Sequence, residues 1–213
     1  SDNYKFHDHE KLAHYANAAA DIEFKFPFGF KELEGIHSRT DFDLAAHEKF
    51  SGRKLQYFDP ERNETYVPYV VETSVGLDRL FLAIFSNCLK DEVLEDGSER
   101  TVLTLPPALA PVKAAILPLM KKDGLGEYGE KIFNDLKYDF NVIYEEKDSI
   151  GKRYRRQDAI GTPFCITVDH DSLTDNTVTL RDRDTMKQER VAVADLRRII
   201  DEKTNFRNLL QKI

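Results

Sequence analysis

The chain has 213 residues, of which 41% are hydrophobic and 32% are charged, and its formal net charge is −7. A chain of this length can bury the core of one large domain or two modest ones. The composition excludes intrinsic disorder as a description of the whole, because disordered chains carry too few apolar residues to form such a core.

Three features of the sequence indicate a cytoplasmic protein. No apolar run approaches the roughly 20 residues of a membrane span, and the first residues lack the apolar segment of a secretory signal. The cysteines, Cys88 and Cys165, each lie in an apolar stretch. That setting is typical of buried free thiols in a reducing compartment. We therefore predict a cytoplasmic location and no membrane partner.

Charge and composition change near the middle of the chain. The excess of acidic side chains lies almost wholly in the first 96 residues. Residues 91–100 are charged, contain a Gly-Ser pair and show no hydrophobic period, which is typical of a surface connection. The sequence therefore predicts two domains, 1–96 and 97–213.

The first domain opens with a predicted helix over 10–20, which is rich in helix-forming residues. Residues 21–26 alternate between apolar and polar types, as a half-buried strand does. A turn at 27–29 and a second strand over 30–36 complete an antiparallel hairpin, since so short a loop excludes a parallel crossover.

A continuous apolar run at 67–71 predicts a strand that is covered on both faces. A helix is predicted to follow from Leu77, because apolar residues recur at spacings of three and four and draw one stripe. The stripe consists of Leu77, Leu80, Phe81, Ile84, Phe85 and Cys88.

The second domain alternates between predicted strands and helices, the pattern of an α/β layer fold with a mixed sheet. The predicted strands are 114–119, 141–144, 164–168, 177–181 and 189–193, and the predicted helices are 127–138 and 150–159. A last helix is predicted to bury Leu196, Ile199, Ile200, Leu209, Leu210 and Ile213.

The segment ETSVGLDR, residues 72–79, places polar groups where a strand ends and a helix begins, a common position for ligands. Arg79 lies off the apolar stripe, where its planar guanidinium can clamp a phosphate, and Glu72 can hold an ammonium group. The alternative is an ordinary capped helix, with Ser74 or Thr73 as N-cap and a solvated Arg79.

A basic cluster marks the second domain. Cations that neutralise phosphates, beside an aromatic side chain on which a base can stack, are typical of RNA binding. The candidates are Lys152, Arg153, Arg155 and Arg156 around Tyr154, with Arg181 and Arg183. The alternative is a solvated helix face that Asp148 and Asp158 balance.

The string ETSVGLDR resembles motif 3 of the class II aminoacyl-tRNA synthetases, in its glycyl version. Three stretches follow the order and approximate spacing of the dimeric type of glycyl-tRNA synthetase: DIEFKFPFGFKELEGIHSRTDFDL, YFDP and PYVVETSVGLDR. Three others resemble the anticodon-binding domain that several of these enzymes share: LPPALAPVKAAILPL, GKRYRRQDAIGTPFCITVD and TVTLRDRDTMKQERV. The resemblance implies the end of an antiparallel-sheet catalytic domain, followed by an α/β anticodon-binding domain, α+β overall.

The resemblance also implies the site residues. The glycine pocket would comprise Glu72, Thr73, Ser74, Val75 and Gly76, with Glu72 receiving the substrate ammonium. ATP would contact Glu32, Leu33, Gly76, Leu77, Asp78 and Arg79, and the catalytic groups would be Arg79 and Glu72. Glu32 would take Mg²⁺ and Glu34 would be a second carboxylate, because residues two apart share one face of a strand. The alternative for Glu34 is a strand-edge acid that faces water.

The implied activity is ATP- and Mg²⁺-dependent ligation of glycine to tRNA(Gly) by a homodimer, with no DNA partner. The sequence contains no counterpart of motifs 1 and 2 of the class II enzymes. We therefore expect the chain to be a C-terminal portion of a longer enzyme, and we expect this portion to be inactive alone. The alternative is a non-catalytic tRNA-binding or accessory module of the same ancestry.

Overall fold

The computed structural model describes residues 2–211. Residue contacts divide the chain into two compact units, Ser1–Ser86 and Asn87–Ile213. Within residues 2–211, none of the helices combines the length and the apolar character that crossing a bilayer demands.

The first unit is built on a four-stranded antiparallel sheet. In chain order its elements are β1 (Tyr4–Asp8), β2 (Ala18–Phe26), β3 (Gly29–Ser38), α1 (Phe42–Ser51), β4 (Tyr57–Asp59), β5 (Glu64–Tyr66), β6 (Val71–Val75) and α2 (Leu77–Cys88). The sheet has the order β1-β2-β3-β6, while β4 and β5 form a separate hairpin. The predicted hairpin over 21–36 is confirmed as β2 and β3, and its turn lies at Pro27 and Phe28.

Two predictions for this unit are wrong. Residues 10–17 hold no helix, and Ala18 already belongs to β2, because cross-strand pairing with β3 overrides the weak helix preference of alanine. The strand predicted at 67–71 lies instead at Val71–Val75, since Pro68 has no N–H to give to a sheet. It is an edge strand in this chain, and Val71 is 69% exposed.

Helix α2 confirms the predicted helix, but only part of its apolar stripe is buried. Its Ala83, Leu80 and Leu82 pack on a small core of Phe24, Phe26 and Leu33. The stripe residues Leu77 and Phe81 remain 78% and 66% exposed. The helix therefore covers one face of the sheet with its middle turns, and its first turn stays open to solvent.

The second unit begins with a hairpin, β7 (Leu89–Val93) and β8 (Glu99–Leu103). The surface connection predicted at 91–100 is thus a pair of strands, and the predicted domain boundary after Asp96 falls in their turn. The two strands of a hairpin are joined by hydrogen bonds and belong to the same unit. The boundary between the two units therefore lies before the hairpin, between Ser86 and Asn87, rather than within it.

A five-stranded mixed sheet follows, as predicted. Its chain order is β9 (Ala114–Pro118), α3 (Leu125–Leu136), β10 (Val142–Tyr144), α4 (Ile150–Ile160), β11 (Phe164–Val168), α5 (Ser172–Asp175), β12 (Thr177–Asp182), β13 (Gln188–Ala192), α6 (Leu196–Thr204) and α7 (Phe206–Leu210). The sheet order is β10-β9-β11-β12-β13, with the first three strands parallel and the last two antiparallel.

The core of the second unit lies between this sheet and helices α3 and α6, which contribute Leu125 and Ile200. The predicted last helix is divided at Asn205, whose backbone is extended and whose side chain caps α7. Leu210 is 57% exposed rather than buried, and Ile213 lies outside the described residues. Both cysteines are buried and free, and burial raises the pKa of the Cys165 thiol to about 12.

Candidate active site

A β-bulge in β3 decides which side chains share a face of the first sheet. Ile22 on β2 opposes Glu34, whereas its neighbour Glu23 opposes Glu32, so that Leu33 is the extra residue. Opposed residues share a face, and neighbours on a strand point to opposite faces. Glu32 and Glu34 therefore lie on opposite faces, and the prediction that they share one is wrong.

The register of β6 shows which of the two glutamates lies with the motif residues. Ser74 opposes Gly35, which itself opposes Asp21 of β2, and Glu72 opposes His37. Glu32, Ser74 and Glu72 consequently lie on one face, which we call the polar face. Val75 opposes Glu34 on the other face, the one that carries the core residue Phe24.

Gly35 keeps the polar face shallow beside Ser74. A Cβ at Gly35 would lie 3.1 Å from the ring of His37 and 3.7 Å from a carboxylate oxygen of Glu32. It would also lie 3.5 Å from a carboxylate oxygen of Asp21. Neighbouring side chains therefore crowd this position, and only a glycine fits there without displacing the His37 ring.

Arg79 connects the first turn of α2 to the polar face. Its Nη1 donates a 2.6 Å hydrogen bond to the backbone oxygen of Glu32 and lies 3.7 Å from the Glu32 carboxylate. Both side chains are about half exposed. A cation and a carboxylate are thus held together while both remain open to a ligand.

The segment from Thr73 to Arg79 is exposed throughout, with Ser74 and Thr73 inside β6. Neither residue is the N-cap of α2, which begins only at Leu77, where the Gly76 oxygen accepts from the backbone of Leu80. The alternative of a helix capped by Ser74 or Thr73 is therefore excluded.

Glu72 has a partner that the sequence did not indicate. Arg39, directly after β3, donates from Nη1 to Oε2 of Glu72 at 2.6 Å. The same guanidinium donates to both carboxylate oxygens of Asp43, at 2.6 and 3.1 Å, and lies 4.1 Å from the ring centroid of Tyr15. The bonds from Arg39 lower the pKa of Asp43. The only available signal was an arginine four residues before an aspartate at a helix start.

Three of the six predicted RNA-binding cations are buried in the second unit. Arg153 and Arg183 are each 1% exposed and Arg181 is 4% exposed. Arg153 donates to the backbone oxygens of Pro118 and Glu145. These bonds hold an arginine inside the fold, where RNA cannot reach it.

The other two buried arginines are also fixed inside the fold, Arg181 by a carboxylate and Arg183 mainly by backbone oxygens. Arg181 makes a two-pronged pair with the fully buried Asp158, at 2.7 and 2.9 Å, which Arg100 joins at 3.1 Å. Arg183 donates to the backbone oxygens of Gly161 and Leu105. The prediction that these two side chains and Arg153 contact RNA is therefore corrected, since all three are structural.

The remaining cations of the cluster lie at the surface. Lys152 is exposed, and Arg155 reaches Ser98 Oγ at 3.4 Å. Arg156 is partly exposed and pairs with Glu145 and Asp148, at 2.5 and 2.9 Å. These three side chains form the surface that we call the α4 cations.

One carboxylate of the polar face, Glu32, is placed where it could help to hold a cation that a ligand brings with it. Among residues 2–211, no group of three or more His, Cys, Asp or Glu side chains could hold a metal ion. Mg²⁺ bound to nucleotide phosphates needs only one or two protein carboxylates. Glu32 fits that need on the polar face, and Glu34 does not, because it lies on the other face.

Comparisons with known proteins find matches that cover both units of the chain. Residues 113–203 match the family model of the anticodon binding domain. The chain is 58% identical to a glycine–tRNA ligase of Chlorobaculum tepidum over 87% of its length, 56% identical to one of Macrococcus caseolyticus over 94%, and 53% identical to one of Geobacillus kaustophilus over 96%. The chain covers 39%, 43% and 45% of these relatives, less than half of each.

One solved structure supports the fold. The RNA binding domain of threonyl-tRNA synthetase from Cryptosporidium parvum aligns with 90% of the chain at a TM-score of 0.64 and 19% identity, and 44% of that protein is covered. At this identity the likeness concerns the architecture alone.

Proposed function

We propose that the chain is the C-terminal part of a glycine–tRNA ligase, like the relatives to which it is 53–58% identical, and that its polar face binds glycine and ATP for adenylate formation. The observation that carries the proposal is the common face of Glu32, Glu72 and Ser74, with Arg79 bonded to Glu32. The proposed product is glycyl adenylate, from which glycine passes to tRNA(Gly).

Glycine would bind between β3 and β6. The Glu72 carboxylate accepts hydrogen bonds from the substrate ammonium, while the side chains that crowd Gly35 beside Ser74 would leave no room for a methyl group at the substrate α-carbon. Alanine is then rejected by steric overlap, which discriminates better than a missing contact does. Thr73 and Val75 direct their side chains to the other face, so any contact of theirs with glycine is through the backbone.

ATP would lie against the start of α2. The Arg79 guanidinium stabilises negative charge on the phosphates while a glycine carboxylate oxygen attacks the α-phosphorus, and the bond to pyrophosphate breaks. Mg²⁺, when bound, neutralises phosphate charge, and Glu32 is the carboxylate placed to hold it. Leu33 is buried, so only its backbone can meet the nucleotide, near Gly76, Leu77 and Asp78.

The tRNA would be bound by the second unit, with the α4 cations neutralising phosphates. The chain spans less than half of its relatives, and we expect the activity of the whole enzyme to need groups outside it. A homodimer, a cytoplasmic location and inactivity of the isolated chain stay predictions.

The test is glycine-dependent exchange of pyrophosphate into ATP, measured with this chain in its full-length enzyme. Arg79→Ala removes a charge ligand of the transition state, and we expect the exchange rate to fall about 10²- to 10³-fold. The matched control is Arg62→Ala, whose side chain is 72% exposed and pairs only loosely with Asp59 and Glu64.

Full exchange activity in the Arg79→Ala enzyme would contradict the proposed site. A full-length protein that binds tRNA but shows no exchange at all would instead indicate a non-catalytic tRNA-binding module.

A further inference from the structure

We propose that Arg39 is a positioning residue for the glycine site, which holds one oxygen of Glu72 so that the other is presented to the substrate ammonium; this inference rests on the proposed function. Arg39 belongs to no part of motif 3. It reaches Glu72 from the position directly after the neighbouring strand β3, 33 positions earlier in the chain.

The two oxygens of Glu72 are in different situations. Oε2 accepts the 2.6 Å hydrogen bond from Arg39 Nη1. Within residues 2–211, no hydrogen bond reaches Oε1, and the Glu72 side chain is 38% exposed. A carboxylate fixed at one oxygen keeps its second oxygen free for an incoming donor, because each oxygen offers its own lone pairs.

Arg39 is itself fixed on several sides. Its backbone N–H donates to Val70 at 2.8 Å, which joins the end of β3 to the approach of β6. Asp43 takes two of its guanidinium donors, Tyr15 lies under its plane, and only 22% of its side chain is exposed. A planar guanidinium held in this way offers its remaining donor in one direction.

The charges explain why Asp43 accompanies Arg39. An arginine alone would neutralise Glu72 and weaken its attraction for an ammonium group. With Asp43 also paired to Arg39, the three side chains carry two negative charges and one positive charge, which leaves a net negative charge. Glu72 is therefore oriented by a cation without losing the field that attracts glycine.

The expected effect is selective for glycine. In the full-length enzyme, Arg39→Ala frees the Glu72 carboxylate to rotate, and we expect KM for glycine to rise about tenfold or more, as misplaced binding groups do. KM for ATP should change by less than about twofold, because Arg79 and Glu32 do not contact Arg39. Arg39→Lys restores a charge but not the fork of donors, and it should recover part of the loss.

Pyrophosphate exchange with varied glycine and varied ATP measures both constants. Arg62→Lys and Arg62→Ala are the matched controls for an exposed arginine. A merely structural role for Arg39 would raise both KM values or lower the amount of folded enzyme, and either result, or an unchanged KM for glycine, overturns the proposal.

Two further variants separate this inference from the function it rests on. If Glu72→Gln and Arg39→Ala act through the same carboxylate, the double variant should lose little more than Glu72→Gln alone; losses that multiply would overturn the positioning role. If the unchanged enzyme shows no exchange, the proposed function fails instead, and the two failures are thus distinguishable.

Discussion

The two units use the same type of side chain in opposite ways. In the first unit, Arg79 is about half exposed and stands beside a carboxylate that is equally exposed. In the second unit, Arg153 and Arg183 are almost fully buried, and both donate to backbone oxygens inside the fold. The richer cluster of arginines in the sequence is therefore the more structural one, and exposure decides which cations can meet a phosphate.

The cost of burial explains this difference. A charge removed from water must be paired and hydrogen-bonded, and the pairs that result cannot also serve a ligand. Asp158 holds Arg181 and Arg100 in the second unit and has no exposed surface. In contrast, the polar face of the first unit keeps Glu32 and Arg79 only 3.7 Å apart with solvent access to both.

The largest expected effect on stability follows from removing the buried aspartate. Asp158→Ala leaves the buried Arg181 without its carboxylate and Arg100 with Glu92 alone, and we expect the free energy of unfolding of the second unit to fall by about 3–5 kcal/mol. Urea denaturation of the full chain measures this. The surface control Asp135→Ala, in helix α3, breaks only an exposed pair with Arg197 and should cost less than about 1 kcal/mol. Equal losses of unfolding free energy in the two variants would contradict the structural role assigned to the buried arginine–aspartate pairs.

A smaller effect is expected on RNA affinity. Lys152→Ala removes an exposed cation, and tRNA should bind more weakly. The slope of log affinity against log salt concentration should fall by about the amount that one phosphate contact contributes. Titration of tRNA at several salt concentrations measures both quantities. Lys203→Ala, an exposed lysine in α6, is the control. The α4 cations would be the wrong surface if only the control weakened binding.

The smallest expected effect concerns acid stability. Asp169 accepts hydrogen bonds from Arg190, and this pairing lowers the pKa of its carboxyl group. Because the folded pKa lies below the unfolded value of about 3.9, the pair stabilises the fold above that pH, and the stabilisation is lost as pH falls through the folded pKa. Asp169→Asn should therefore lower Tm at pH 6, and the difference from the unchanged protein should shrink as pH falls below about 3.9. If the Tm values of the variant and the unchanged protein differed by the same amount at every pH, the stabilising pair of Asp169 with Arg190 would be contradicted.

The sequence predicted the second unit well because its signals are local. The parallel strands β9 and β11 are continuous apolar runs, and the structure buries every residue of both. Its arginines were misassigned for the opposite reason. Their partners are distant in the chain, since Arg153 and Pro118 are 35 positions apart and Arg181 and Asp158 are 23 apart.

The first unit shows the same limit at the candidate site. ETSVGLDR was recognisable from its residue types, and the structure places it at the junction of β6 and α2. The bulge at Leu33 was not recognisable, because a simple alternation assigns Glu32 and Glu34 to one face and nothing in the local pattern marks the extra residue. Arg39 was missed because its contact with Glu72 depends on the pairing of β3 with β6.

The bulge also supplies the most direct test of the account. Glu32→Gln and Glu34→Gln change the same group two positions apart, on opposite faces of one strand. In the full-length enzyme, we expect Glu32→Gln to lower glycine-dependent pyrophosphate exchange by about tenfold or more, as loss of a group at the site does. Glu34→Gln should retain nearly full activity. Equal losses in the two variants, or a larger loss for Glu34→Gln, would contradict the assignment of the polar face as the active site.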